Sequence, residues 1–431
     1  LLGKLVASIG GQVGVLLVGT VAQIIIARAL GPTGKGLYSL TVLLAGLSAS
    51  MTGISLSTAN AHFVGRHPEN RPALVGNSLF MAIVWGGMVT LLLFEFGGDL
   101  RDRYLTSIND RLLMIAIVGI VPQMLVEYST GLIVGLDMIG MVSFTMFLRE
   151  ALVLGGLATL FYYNLLSVEM AAAVWVVGGV VISLVQSGFA WYKTGGGVRV
   201  DMPFLGRMVR FSLNGLVANV SSLLRLRLDL FMINYFLLGQ DVGYYSIAMA
   251  LVSLLWYLPT GVAMVLIPYV SWRDDRAGDR LTPFLSRAGM TISVAGAVGL
   301  GVFGYPVIGM LFGKAFQPAY PAMLFLLPGA VAYGMSKVLA SDLLGRGKPQ
   351  YGRTISLVAL ILNVGLNVLF IPRFGIIGAA AVSSLSQMFS AWLFLFYFLR
   401  ESGTPLRDVF IVRADDWRIL GRLLVHKDSG N

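Results

Sequence analysis

The sequence predicts an all-α integral membrane protein with about twelve transmembrane helices, arranged as two parallel six-helix lobes related by a pseudo-two-fold axis along the membrane normal. Three observations carry that reading. Of 431 residues, 57% are hydrophobic and only 12% charged, where soluble domains carry about 25% charged residues. Apolar windows of roughly 20 residues, enough to cross about 30 Å of hydrocarbon at about 1.5 Å per residue, recur along the whole chain. Motifs in the first half also reappear, in order, in the second.

The apolar windows place spans at 5–30, 36–64, 74–98, 110–135, 139–163 and 168–192, then at 208–238, 242–270, 283–311, 319–344, 351–371 and 376–399. The first window is too long for a signal peptide and lacks a small-residue cleavage pattern. The chain starts at Leu1 rather than methionine, and a few native residues are expected before it. The glycines and alternating basic residues of YKTGGGVRVDMPFLGRMVR, Tyr192 to Arg210, suit a flexible linker running into an interfacial helix. The expected units are a lobe over 1–192, a linker over 193–207, a second lobe over 208–399 and a tail over 400–431.

With both termini on one side, 20 of the 31 Lys and Arg fall on that side, 7 on the other, and Arg149, Arg225, Arg227 and Lys337 within spans. The positive-inside rule then makes both termini cytoplasmic. The net charge of +10 sets topology and meets anionic lipid, and no nucleic-acid partner is expected. The absence of cysteine excludes thiol chemistry. His62, His67 and His426 lack paired ligand spacing, so no metal cofactor is expected.

The repeat rests on two alignments. LGPTGKGLYSL, from Leu30, matches LGQDVGYYSIA, from Leu238, with one gap, pairing Gly31 with Gly239, Gly36 with Gly243 and Tyr38 with Tyr245. LIVGLDMIG, from Leu132, resembles the stretch LLGRGKPQY, from Leu343, at the offset that pairs Gly135 with Gly345. An even number of spans per copy makes the copies parallel and leaves a cavity between them, open to each side in turn when the lobes rock.

Charged groups inside spans usually face the protein interior or a wet cavity. On a helix Arg225 and Asp229 share a face, so an ion pair is expected there, while Arg227 points away and has length to snorkel. Two readings stay open: a structural pair with a snorkelling arginine, or a cationic site. Arg149 and Lys337 fall near mid-membrane, and such cations suit a passing anion, arginine's planar fork favouring phosphate. Glu150 points about 100° from its neighbour Arg149 and needs another partner. Glu127 falls opposite Lys337 in the repeat, and either pairs with it across the cavity or titrates during ion coupling. Asn60, His62, Asn214 and Asn219 read as interhelical hydrogen-bonding groups. Asn363 and Asn367, four apart, are the asparagines expected to line the cavity.

Three segments then carry a resemblance. RLRLDLFMINYFLLGQDVGYYSIA, Arg225 to Ala248, resembles the seventh-span signature of polysaccharide flippases. ARALGPTGKGLYSL, from Ala27, resembles their first loop, and NVLFIPRFGIIGAAAVSS, from Asn367, their IPxFGIxGAA segment, with GRGKP at Gly345 also fitting. The chain thus resembles an O-antigen or polysaccharide flippase (Wzx-like) of the multidrug/oligosaccharidyl-lipid/polysaccharide exporter superfamily. That resemblance implies a non-enzymatic carrier of polyprenyl-diphosphate-linked oligosaccharide in a bacterial or archaeal cytoplasmic (inner) membrane. It implies two six-helix lobes around a cationic cavity, with Arg225 as the motif arginine and Asp229 as its acid. Membrane lipid, a polysaccharide polymerase and glycosyltransferases are the expected partners, and a Na+ or H+ gradient the expected drive. Rival readings are a drug or small-molecule antiporter of the same superfamily, a lipid II flippase, and a membrane glycosyltransferase or polymerase. The last lacks the large outer loop or carboxylate cluster it needs, since DDRAGD, Asp274 to Asp279, reads as a solvated loop. No GxxxxGK[ST] loop for ATP occurs.

Overall fold

The computed structural model describes residues 2–257, 259–261, 266 and 275–410. The tail beyond residue 410, and the side chains of Asn214 and of the acidic loop at 274–279, lie outside the described residues. Helices follow one another without strands among the described residues. The first lobe contains α1 (Leu2–Thr52), α2 (Leu56–Arg66), α3 (Arg71–Phe80), α4 (Gly86–Tyr104), α5 (Asp110–Val118), α6 (Ile120–Gly135), α7 (Ile139–Tyr162) and α8 (Val168–Lys193). The second contains α9 (Met202–Phe236), α10 (Gly239–Ser253), α11 (Asp275–Leu311), α12 (Ala319–Gly345) and α13 (Pro349–Ser402), followed by a short α14 (Arg407–Phe410).

Among the described residues, eight helical stretches are long and apolar enough to cross a membrane. Two of these each hold a pair of spans, because α1 breaks at Gly31 (φ 65°, ψ −175°) and α13 at Gly375 (φ 60°, ψ −144°). Pro32 directly follows the first glycine and Pro372 precedes the second by three residues; a proline's missing N–H cannot continue the backbone ladder, and positive φ with extended ψ suits glycine. The charged α9 and the span begun by α10 bring the total to twelve. Tyr162 and Tyr163 are exposed at one end of the first lobe, and Trp191 and Tyr192 at the other, as aromatic belts at two water interfaces.

Backbone turns bear out the second repeat alignment. After α6, Asp137 (φ 60°) lets its N–H reach Val134 O at 2.9 Å and the N–H of Met138 reach Ile133 O at 3.1 Å. After α12, Gly347 (φ 74°) repeats the pattern, with Gly347 N to Leu344 O at 3.0 Å and Lys348 N to Leu343 O at 2.9 Å. This is one helix-ending motif used twice.

The cores define the shape. One cluster spans both lobes on the side away from the termini, joining Ile26, Leu40 and Leu113 to Ile233, Val242, Phe316 and Ile371. On the side of the termini the cores are separate: one around Leu56, Leu74 and Tyr128 in the first lobe, another around Leu339, Ile355 and Phe398 in the second. The lobe cores are therefore continuous on the far side and separate on the side of the termini, where α9 reaches across to the first lobe. On the far side Arg28 of α1 donates from Nε to Leu311 O at 2.8 Å, and from Nη2 to Met310 O, completing the end of α11 in the other lobe.

The first repeat alignment identifies that far-side junction. A Cβ on Gly36 would stand 2.0 Å from the Gly239 carbonyl oxygen, and one on Gly243 2.0 Å from that of Pro32. The repeat-related glycines thus let α1 and α10 cross backbone to backbone.

The linker differs from expectation. It is tied to α3: Asn77 Nδ2 donates to Asp201 O at 3.1 Å, Asp201 N donates to Asn77 Oδ1 at 2.9 Å, and Arg199 N reaches Pro72 O at 3.0 Å. Gly76 permits this approach, since a Cβ there would meet Arg199 O at 2.2 Å. Composition signalled flexibility, but one buried asparagine supplies the bonds of a missing strand neighbour. Asp201 then caps α9 by accepting from Phe204 N at 3.0 Å. That bond, with Arg199 beside it, holds its carboxyl below the usual range. Phe204, Leu205 and Met208 of α9 pack into the first-lobe core, where His62 stacks on Phe211 with centroids 4.4 Å apart.

Candidate functional site

The cations predicted within spans lie against aromatic rings, Arg225 and Lys337 against one in the second lobe and Arg149 against one in the first. In the second lobe Arg225 is 7% exposed, and its guanidinium lies 5.8 Å from the centre of the Tyr333 ring. Lys337, one turn after Tyr333 on α12, places Nζ 5.6 Å from the same ring. Trp256 packs against Tyr333 at 4.7 Å. Arg225 Nε and Nη1 and Trp256 Nε1 are buried donors without a hydrogen-bond partner. Two cations share one ring's negative face, and neither has an ion-pair partner among the described residues.

The first lobe holds a counterpart. Arg149 lies 4.7 Å above the Trp175 ring and donates from Nη2 to Gln123 Oε1 at 3.1 Å, while its Nε is unpartnered. Its neighbour Glu150 turns to Gly19 of α1, where a Cβ would meet Oε2 at 3.2 Å. Tyr257 lies within electrostatic reach of Glu150 on one lobe and Arg227 on the other. Arg227 is exposed, with Asp229, Tyr257 and Tyr333 within electrostatic reach.

Three expected contacts are corrected. The Arg225–Asp229 ion pair does not form. Helical side chains lean toward the helix N-terminus, which carries Arg225 toward Tyr333, while hydroxyls from other helices claim Asp229. Asp229 Oδ2 accepts from Tyr245 Oη at 2.7 Å and from Ser383 Oγ. Glu127 does not pair with Lys337: Ser50 of its own lobe donates to Glu127 Oε1, and the lobe cores are separate on that side. Asn363 and Asn367 do share a face, but both are wholly buried and line no cavity. Asn367 Nδ2 donates to Asn363 Oδ1 at 3.1 Å and Asn363 Nδ2 to Ser383 Oγ at 3.5 Å, extending a buried polar chain to Asp229. Asn60, by contrast, bonds Ser78 Oγ at 2.8 Å and Tyr128 O at 3.0 Å, and Asn219 bonds Ser55 Oγ at 3.3 Å, as interhelical groups.

Asp229 Oδ1 and Asn367 Oδ1 are buried acceptors with no donor. An all-oxygen site of this kind suits a proton or a hard cation. No cluster of three or more His, Asp or Glu side chains that would hold a metal occurs among the described residues. Sequence reasoning missed Tyr333, Trp256, Trp175 and Ser383, although Tyr333 stands four residues before Lys337 on a helical face.

Residues 1–272 match the family described as polysaccharide biosynthesis protein. The chain belongs to that family. Among curated members of comparable sequence, the probable low-salt glycan biosynthesis flippase Agl15 of Haloferax volcanii is 24% identical over 42% of this chain and 39% of its own. The probable flippase AglR of the same organism is 26% identical over 64% of this chain and 62% of its own. The chain thus spans less than two thirds of either relative's length. Among solved structures, lipid II flippase MurJ in an inward closed conformation is similar with a TM-score of 0.75 at 13% identity, covering 98% of this chain and 93% of that one. This polysaccharide biosynthesis family member therefore has the twelve-helix, two-lobe fold expected from its sequence, within a multi-pass membrane protein.

Proposed function

We propose that the protein is a flippase that carries polyprenyl-diphosphate-linked oligosaccharide from the cytoplasmic to the outer leaflet by alternating access, and is not an enzyme. The observation that carries this reading is the set of cations inside spans, Arg225 and Lys337 on Tyr333 and Arg149 on Trp175, that have no ion-pair partner among the described residues. A diphosphate supplies the missing acceptors, and bidentate arginine bonding suits it. The names of Agl15 and AglR support the same cargo class.

In this reading the termini are cytoplasmic, as the Lys and Arg distribution supports, and the side where the lobe cores are separate is the entry side. The diphosphate and glycan enter the cavity while the polyprenyl tail stays in lipid. Asp229 with Asn363, Asn367 and Ser383 takes up the coupling Na+ or H+, and Glu127 is a second carboxylate poised for coupling. A polymerase and glycosyltransferases of the same pathway are the partners that consume and supply the cargo.

Purified protein in liposomes loaded with lipid-linked oligosaccharide should accelerate leaflet exchange. Exchange no faster than in empty liposomes, under Na+ and H+ gradients alike, would overturn the proposal.

A further inference from the structure

Tyr38 and Tyr245, matched in the internal repeat, have no part in cargo binding, yet they are buried at 3% and 1% exposure. Each follows by two residues a glycine of the far-side crossing, Gly36 or Gly243. That crossing has no slack, since backbone meets backbone on both sides of it. From the crossing, each phenol extends into its own lobe toward a charged centre. Tyr245 Oη donates to Asp229 Oδ2 at 2.7 Å and lies 3.3 Å from Ser383 Oγ. Tyr38 lies within electrostatic reach of Glu150 and Arg149.

We infer that Tyr245 is a positioning residue that links occupancy of the Asp229 site to closure of the far side. The inference rests on the reading of Asp229 as the coupling group. With Asp229 charged and Oδ1 bare, the Tyr245 hydroxyl makes a charge-assisted bond, roughly twice as strong as a neutral one. That bond ties the first turns of α10 to α9 and seats Gly243 against Pro32. When a proton or a hard cation adds to Oδ1, the carboxylate charge is neutralised and the bond weakens. The ring is then free to shift, and α10 can swing away from α1 without first breaking a strong tether. An occupied site thus favours opening on the far side, and an empty one holds it shut. The charged groups within reach of Asp229 are Arg225 and Arg227, both on its own helix, so the hydroxyls of Tyr245 and Ser383 are the links it makes to other helices.

The chain has no cysteine, so Thr33→Cys and Leu238→Cys, both exposed and on opposite sides of the crossing, give a clean spin-label pair. Pulsed EPR of the full chain in lipid, in Na+ or K+ and at low or neutral pH, reads the ratio of short to long distances. The labelled parent should shift with the ion condition, and Asp229→Asn should not. Tyr245→Phe keeps the ring and should cut the shift in that ratio about tenfold, the scale of one hydrogen bond to a charged group. Tyr38→Phe, which removes the repeat-matched phenol in the other lobe and leaves every bond to Asp229 in place, should retain the response. If Tyr245→Phe responds like the parent while Asp229→Asn does not, the link through Tyr245 is wrong and coupling at Asp229 stands. If parent and Asp229→Asn behave alike, coupling at Asp229 is wrong and the link falls with it. Should Tyr245→Phe fail to fold, loss of the response in Tyr38→Phe would by itself overturn the inference, because that phenol makes no bond to Asp229.

Discussion

Gly243→Ala tests the far-side crossing with a single methyl group. The added Cβ would sit 2.0 Å from Pro32 O and 2.8 Å from its carbonyl carbon, about 1.2 Å closer than a carbon–oxygen contact allows. The obstruction is backbone, so no rotamer change relieves it. Overpacking of this kind costs about 1–3 kcal/mol, and alanine returns about 1 kcal/mol through its better helix propensity. The propensity gain is the same in both states and cancels in their ratio, whereas the about 1–3 kcal/mol of overpacking applies only where the helices touch, so the ratio of closed to open far sides should fall roughly 5- to 150-fold. The assay is the same label pair at Thr33 and Leu238. Gly87→Ala is the control, because a Cβ there has nothing within 4 Å. A distance distribution identical to the parent's, in a variant that folds and melts normally, would refute the idea that this crossing sets far-side closure.

Other consequences are simpler to state. Arg225→Ala and Lys337→Ala should each weaken binding of a soluble diphosphate headgroup by about tenfold, and the double variant should lose less than the product, because both cations share Tyr333; calorimetry on the four proteins reads the non-additivity. Asn77→Ala removes both linker bonds and leaves backbone groups of Asp201 without partners, which should destabilise the protein by about 1–3 kcal/mol and expose the linker to limited proteolysis. Asp201 has a depressed pKa, so its contribution is present above the ordinary carboxylate range and lost as pH falls through the folded value. The difference in melting temperature between parent and Asp201→Ala should therefore be constant near neutral pH and close only in strong acid.

The spans were legible because each is a local property: about 20 apolar residues need no knowledge of neighbours to be recognised. The breaks at Gly31 and Gly375 were legible for the same reason, through nearby proline and glycine. Partners of the charges were not. Asp229 and Arg225 are correctly spaced to meet, and do not, because the choice is made by Ser383 and Tyr245, more than 150 and 16 residues away in the chain. The asparagine pair was read on the right face, but whether that face looks into a cavity or into α13's own neighbours depends on packing that periodicity does not encode. Which side of the two lobes is joined was out of reach, because the crossing at Gly36 and Gly243 is made between helices about 200 residues apart rather than by a local pattern.

Arg28 finishes the last turn of α11 from the opposite lobe. A helix end normally finds its capping groups nearby in sequence, but this one borrows them from a residue 283 positions away. Its order is thus conditional on the lobes being together. When they separate on the far side, the carbonyls of Met310 and Leu311 lose their donors and the final turn should fray. Amide hydrogens around Ile308 to Phe312 would then exchange faster in proportion to the time spent apart, making one helix terminus a label-free gauge of lobe separation.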